Sequence, residues 1–144
     1  MKLNTGKIAF PIEFDNGDVQ NIYFNPNDPD LAIRMKDFQS RVEERTKDLE
    51  DLKLDNTGNP EDAKAIERFR EIRNIICEEM DAAFNGEISA VVFKHCSPFA
   101  IVDGDFFIMQ FIEAIKPEIE KHIKTSGARI EEKMQKHVAH YIKR

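Results

Sequence analysis

Residues 7–24 read KIAFPIEFDNGDVQNIYF and predict a β-hairpin. Apolar residues alternate along the first half and fall on one face of a strand: Ile8, Phe10, Ile12 and Phe14. The Asn16-Gly17 pair predicts a tight turn, because both residues readily adopt the positive φ angles that such a turn needs. Pro11 cannot donate a ladder hydrogen bond, so it suits an edge strand or a bulge. Because a lone hairpin is marginal in water, this one should pack on helices or pair with another chain.

The segment after the hairpin predicts a long amphipathic helix. Asp28 can cap its free amides, and Pro29 fits the first helical position. Apolar residues then recur at spacings of three, four and seven: Leu31, Met35, Phe38, Val42, Leu49 and Leu52. This stripe is expected either to pack within its own domain or to form a seam for a partner helix or a second copy.

The pattern of caps, breaks and apolar faces predicts an α+β fold that is mainly α. Helices are expected at about 29–54, 60–84, 87–94 and 105–126, so that the hairpin packs on a bundle of about four to five helices. Asn59-Pro60 should begin the second helix and Asp105 should cap the fourth. Pro117 should kink or interrupt that fourth helix, and Gly127 marks a second expected break. The prediction is one domain over 1–127, followed by a basic helix over 128–144.

Composition places the chain among ordinary globular domains. It has 144 residues, 41% of them apolar and 33% charged, which suits a single domain with its own core. No apolar run approaches the roughly 20 residues that span a bilayer, and the first residues do not form a secretory signal. Cys77 and Cys96 need no disulfide in a chain of this size. We therefore expect a protein that stays in the cytoplasm, with no membrane partner.

Charge is distributed unevenly along the chain. Residues 128–144 contain five Lys or Arg and two Glu, a net charge of +3, whereas residues 1–127 have a net charge of −9. The acidic body argues against duplex DNA or anionic lipid as the main partner. The basic end could contact nucleic acid or an acidic protein surface, although a solvated helix end is the preferred interpretation.

The sequence contains no recognisable catalytic, cofactor or metal site. It has no Gly-x-Ser-x-Gly element, and its six glycines form neither a P-loop nor a dinucleotide fingerprint. The pairs His95-Cys96 and His137/His140 lack the further ligands that a metal site needs. Acidic pairs such as Asp103/Asp105 lie where turns and caps use them. We therefore expect a non-catalytic protein that binds another protein.

Three phenylalanines stand apart from the helical and strand periodicities. Phe93, Phe99 and Phe106 cluster around the Ser97-Pro98 loop. They are expected either to cover the end of the helical bundle or to form an exposed docking patch.

Two regions together resemble a family of small phage proteins. The first is the hairpin running into YFNPNDPDLAIR (23–34), and the second combines MDAAFNG (80–86), VF (92–93), SPF (97–99) and the segment 106–115. The pattern of an Asp-x-x-Phe-x-Gly element, then Val-Phe, then Ser-Pro-Phe resembles proteins from the tail-gene modules of siphophages and prophages of Gram-positive bacteria. The resemblance covers about two thirds of the chain.

The resemblance implies a tail assembly chaperone. Such proteins act in the host bacterial cytoplasm, coat the long tape measure protein before the tail tube polymerises, and are absent from the finished virion. The implied partners are the tape measure protein and further copies of the chain, with no nucleic acid. The alternative is a structural component of the tail, such as a tube, terminator or adaptor subunit. A third interpretation is a regulatory protein whose basic end contacts nucleic acid.

Overall fold

In the computed structural model, residues 1–50, 52 and 62–142 are described, the last helix by its backbone alone at residues 123–132 and 137–142. The fold is α+β with an N-terminal antiparallel hairpin, as the sequence predicts. The strands are β1 (Ile8–Glu13), β2 (Val19–Phe24), β3 (Ile101–Val102) and β4 (Asp105–Phe106). The helices within the described residues are α1 (Pro29–Glu50), α2 (Ala63–Phe84), α3 (Ser89–Val92) and α4 (Phe107–Ile142).

The hairpin turns at the predicted residues, but of Asn16 and Gly17 only Gly17 has a positive φ, so the predicted pair of positive φ angles is not formed. The Phe14 amide donates to the Asp18 carbonyl at 2.9 Å, and the Asn16 side chain accepts from the Asp18 amide at 3.0 Å. Gly17 has a φ of 86°, which costs a glycine little. Phe10 pairs with Ile22 across the strands, and both are buried, so one face of the hairpin lies on the core.

The two long helices pack against each other, with limits slightly different from those predicted. α1 ends at Glu50 rather than about residue 54, and α2 begins at Ala63 rather than residue 60. Asp62 is the cap of α2, since its carboxylate accepts from the Ala65 amide at 2.8 Å. The predicted start at Asn59-Pro60 lies outside the described residues.

The Asp-x-x-Phe-x-Gly element, residues 81–86, forms the end of α2 and the turn that leads to α3. The Asp81 carboxylate accepts from the amides of Ile88 and Ser89 at 2.9 and 2.7 Å and from the Ser89 hydroxyl at 2.9 Å. Asn85 ends α2 in the left-handed region, with a φ of 55°. Phe84 is buried in the core. These residues therefore have structural roles in the monomer.

A short second hairpin precedes α4, where a helix cap was expected. Asp103 and Gly104 have φ angles of 52° and 83°, the positive pair that a two-residue hairpin turn requires. Ile101 consequently pairs with Phe106, and the helix begins at Phe107 rather than at Asp105. The prediction that Asp105 caps α4 is wrong for this reason.

α4 is one helix through both predicted breaks. It runs from Phe107 to Ile142 with Pro117 inside it, and Gly127 also lies within it. An internal proline costs about 3 kcal/mol or more. Burial of an isoleucine contributes about 1.5–3 kcal/mol, and buried isoleucines flank Pro117 on both sides: Ile112, Ile115 and Ile119. The free energy gained by burying these isoleucines outweighs the cost of the internal proline, so the predicted interruption of the helix is absent. The domain boundary at residue 127 stays a prediction.

The core joins the hairpin to the helices through aromatic rings. Phe10 stacks on Phe24 with centroids 4.3 Å apart, Phe24 meets Phe84 at 5.0 Å, and Phe84 meets Phe111 at 5.9 Å. This series runs from β1 through α2 to α4. Within the part of the chain that the structure describes, no helix is both long and apolar enough to cross a membrane.

Candidate partner-binding groove

A groove with a volume of about 1000 Å³ lies between the hairpin and the first half of α4. One wall is β1 with the turn after it, and the other is the face of α4 between Phe107 and Glu118. Val92, His95 and Cys96, from α3 and the loop after it, also line the groove. Each wall belongs to an element packed on the common core, so the groove is formed without a partner.

The groove is apolar at its base. Phe10, Ile22, Phe111 and Ile115 all line it and are all at least nine-tenths buried. Phe10 is held by its stacking on Phe24 and by an edge contact to His122 at 5.5 Å between ring centroids. A preformed apolar base with fixed rings favours binding of an apolar side-chain row, because little has to reorganise on contact.

Acidic side chains border the groove. Glu13, Asp15 and Glu118 line it and are exposed, as is the neutral Gln110. Among the described residues that line it there is no Lys or Arg. Three carboxylates beside an apolar base produce a negative potential, so the groove favours a partner that carries positive charge next to apolar residues.

The register of the hairpin decides between a strand and a helix as the occupant. Because Phe14 donates to Asp18, hydrogen-bonded pairs alternate back along β1, and Pro11 opposite Asn21 falls at a non-hydrogen-bonded pair. The amide position of Pro11 therefore points away from β2, towards the free edge of β1, where a proline has no donor. An added strand would miss a ladder bond there, which disfavours strand addition and favours a helix.

A polar cluster fixes the hairpin turn to the loop after α3. Asp18 Oδ2 lies 2.7 Å from His95 Nε2 and 3.5 Å from Lys94 Nζ, and Gln20 donates to the same carboxylate at about 3.0 Å. The His95 ring also meets Phe14 at 4.9 Å. The hydrogen bonds from His95 and Gln20, together with Lys94, lower the pKa of Asp18 from 3.8 to about 2. This cluster holds one end of the groove.

We expect the Asp18 cluster to make the free energy of unfolding depend on pH in the acidic range. A pKa that is lower in the folded chain means that the ionised carboxylate stabilises the fold above about pH 4. That contribution is lost as the pH falls towards about 2. Urea unfolding at several pH values should show the difference between wild type and Asp18→Asn shrinking over this interval. The exposed Asp37→Asn should show no such convergence, and a constant difference for Asp18→Asn would contradict the assignment.

Neither the Cys96 thiol, which lines the groove, nor the Cys77 thiol on α2 is an activated nucleophile. Burial, with the nearby Asp15 carboxylate, raises the pKa of Cys96, and burial, followed by the Asp81 charge, raises that of Cys77. Since the thiolate is the reactive form, neither cysteine is activated. The described residues contain no group of three His, Cys, Asp or Glu able to hold a metal ion. The side chains of His137 and His140 lie outside the described residues.

The stripe predicted on α1 packs inside the monomer. Five of its six members are at most 6% exposed: Leu31, Met35, Phe38, Val42 and Leu49. Leu52 is half-buried and packs against the same core. Of the two interpretations, the structure shows packing within the domain. A partner could reach this stripe only after α1 had separated from the core, so its partner-binding role stays a prediction without an accessible surface.

The three phenylalanines around the Ser97-Pro98 loop cover the end of the bundle. Phe99 is 7% exposed and lies edge-on to Phe69 and Phe106, each with centroids 5.7 Å away. Phe93 and Phe106 are partly buried against the core. The covering interpretation therefore matches their surroundings better than an exposed patch.

The sequence prediction missed the groove, although both of the apolar faces that form it had been recognised separately. Phe10, Ile12 and Phe14 were recognised as one apolar face, and Phe111 and Ile115 as another. The two faces are about 100 residues apart in the chain, so periodicity could not show that they meet. The informative residue was Pro11, because its register relative to the turn decides which edge of β1 lacks a hydrogen-bond donor.

Comparison of the chain with protein-family models, with curated proteins and with solved structures finds no match in any of the three.

Proposed function

We propose that this chain is a non-catalytic chaperone that binds an amphipathic helical segment of a phage tape measure protein during tail assembly. The observation that carries the proposal is the preformed apolar groove with acidic borders between β1 and α4. The resemblance of the sequence to tail assembly chaperones supplies the class of partner. The geometry supports the mode of binding, a helix lying in a groove.

The size of the groove suits a short length of helix. The α4 wall of the groove runs from Phe107 to Glu118, roughly 16 Å at 1.5 Å per residue, so a helix of about two to three turns fits along it. Two turns present two or three apolar residues at one face. Such a contact is small, which favours weak and reversible binding. A chaperone that must leave as the tail tube forms requires contacts of this kind.

Charge limits which helical segments can bind. The exposed carboxylates of Glu13, Asp15 and Glu118 favour segments whose apolar row is flanked by Lys or Arg. A long helical protein with unpaired apolar rows would aggregate in isolation. Covering such rows at successive positions would keep it soluble.

Blocking the groove should abolish this activity. Ala114 lines the groove and is exposed, so Ala114→Trp fills space without disturbing the core. The matched control is Ala32→Trp on the exposed side of α1. In co-expression with the tape measure protein of the same tail module, wild type and Ala32→Trp should co-purify with it and keep it soluble. Ala114→Trp should weaken capture roughly tenfold or more, the equivalent of about 1.4 kcal/mol.

Two results would contradict the proposal. Equal capture by Ala114→Trp and Ala32→Trp would remove the groove from the mechanism. Failure of the wild type to bind, together with detection of this chain by mass spectrometry in purified virions, would instead identify a structural component of the tail.

A further inference from the structure

The two walls of the groove run in opposite directions, which fixes the end at which Asp15 lies. On β1, the Phe10 ring meets His122 of α4 at 5.5 Å between centroids. The Phe14 ring instead meets His95, in the loop after α3, at 4.9 Å. Asp15 follows Phe14 directly and lines the groove, so its carboxylate lies at the end that His95 also lines.

Glu118 lies at the opposite end of the groove. It is the last residue of α4 that lines the groove, and it comes one turn before His122, which marks this end. Asp15 and Glu118 are both exposed, and among the described residues neither forms an ion pair. Lys116 and Lys121, the nearest cations along α4, do not line the groove. Each end of the groove therefore presents a carboxylate that a bound partner can pair.

The two carboxylates are separated by most of the length of the groove. Along α4, the wall from Phe107 to Glu118 measures roughly 16 Å. Along β1, the stretch from Phe10 to Phe14 covers about 13 Å at about 3.3 Å per residue, and Asp15 lies one residue further. The two walls thus agree on a separation of about 13–16 Å.

A helix in the groove reaches both carboxylates from one face only at a particular spacing. A residue about eleven positions further along a helix lies about 16.5 Å along the axis and within roughly 20° of the same face. A spacing of about seven positions also returns to that face, but it covers only about 10.5 Å. The same face carries the residues between the two ends, and these lie over the apolar base that Phe111 and Ile115 form.

We propose that Asp15 and Glu118 select segments of the tape measure protein that carry two basic residues about eleven positions apart, with an apolar row between them. The inference rests on the proposed function, since it takes a helix to be the occupant of the groove. Burial of the apolar row supplies most of the affinity, because exposed ion pairs contribute little each. The two carboxylates instead decide which register of a long helical protein docks, since other registers leave one or both of them unpaired.

Binding of two synthetic helical peptides to the full chain tests the spacing. Both peptides are alanine-rich, are roughly 18 residues long and carry the same leucine row and two lysines. In the first peptide the lysines lie about eleven positions apart on the leucine face. In the second they lie on the opposite face, so that composition and net charge are equal. Fluorescence anisotropy at low ionic strength should give the first peptide a roughly fivefold lower dissociation constant, and this preference should shrink as salt is added.

Variants of the chain assign the preference to the two ends. Asp15→Asn combined with Glu118→Gln should bind both peptides alike. The matched control, Asp37→Asn combined with Glu44→Gln, removes the same charge from exposed positions on α1 and should keep the preference. Equal binding of both peptides by the wild type, or an unchanged preference in the first variant, would overturn the inference. If Ala114→Trp blocked that equal binding, the groove would still hold a helix and only the spacing would fail. No binding of either peptide would overturn the spacing and would count against the proposed function as well.

Discussion

Replacing Phe38 by alanine is expected to lower the free energy of unfolding by about 3–5 kcal/mol. Phe38 is 1% exposed at the centre of the α1 stripe and belongs to the single cluster that joins the hairpin, α1, α2 and α4. Truncation removes the transfer free energy of the ring and leaves a cavity that rigid neighbours fill only in part. Domains of this size are stable by about 5–15 kcal/mol, so the loss is a large fraction of the total.

Urea denaturation followed by circular dichroism measures the effect, and Ile33 supplies the control on the same helix. Ile33 is 62% exposed, so Ile33→Ala should change the stability by less than about 0.5 kcal/mol. The comparison also decides the role of the stripe. If Phe38→Ala were as stable as Ile33→Ala, the stripe would not be core, and a partner seam on α1 would again be the better interpretation.

The features predicted correctly from the sequence are those that depend on neighbouring residues. Alternation and the Asn16-Gly17 turn are local signals, so the first hairpin was predicted with its limits almost unchanged. Asp103-Gly104 is also a local turn signal, but the strands on either side of it have two residues each. Two residues are too few for a period, and the segment was assigned to a helix cap instead.

Errors arose where distant contacts outweigh local preference. Pro117 is a strong local breaker, yet Ile115 and Ile119 beside it are buried and hold α4 together. The residues of the α1 stripe were identified from their spacing, but that spacing could not say whether the surface that covers them belongs to this chain or to another. The groove depends on β1 and α4 meeting in space, and no pattern within either element contains that information.

The position of the groove follows from the contacts that hold the hairpin against the helices. β1 is the outer wall, and its contact to the helical body passes through one face of the hairpin. At the turn, the Asp18 cluster ties the hairpin to the loop after α3. At the other end, the hairpin is held by the aromatic contacts from Phe10 through Phe24 to Phe84. The exposed turn contact is the weaker of the two, because hydrogen bonds and ion pairs at the surface contribute little.

Replacing Phe24 by alanine should therefore free the hairpin as well as destabilise the chain. Phe24 is fully buried between Phe10 and Phe84, and we expect a loss of about 3–5 kcal/mol. Its neighbour Tyr23 is 54% exposed on the opposite face, so Tyr23→Ala should cost less than about 1 kcal/mol. Hydrogen exchange should show faster opening of the β1 and β2 amides in Phe24→Ala than in Tyr23→Ala.

A milder substitution separates the groove from the stability of the whole chain. Phe24→Leu keeps most of the buried volume, so the helices should stay folded while Phe10 loses the ring on which it stacks. Because Phe10 forms part of the groove base, binding in the groove should weaken in Phe24→Leu although α1 and α2 exchange as in the wild type. Unchanged binding with a mobile hairpin would show that α4 alone supplies the contact, and that β1 is not a wall of the functional site.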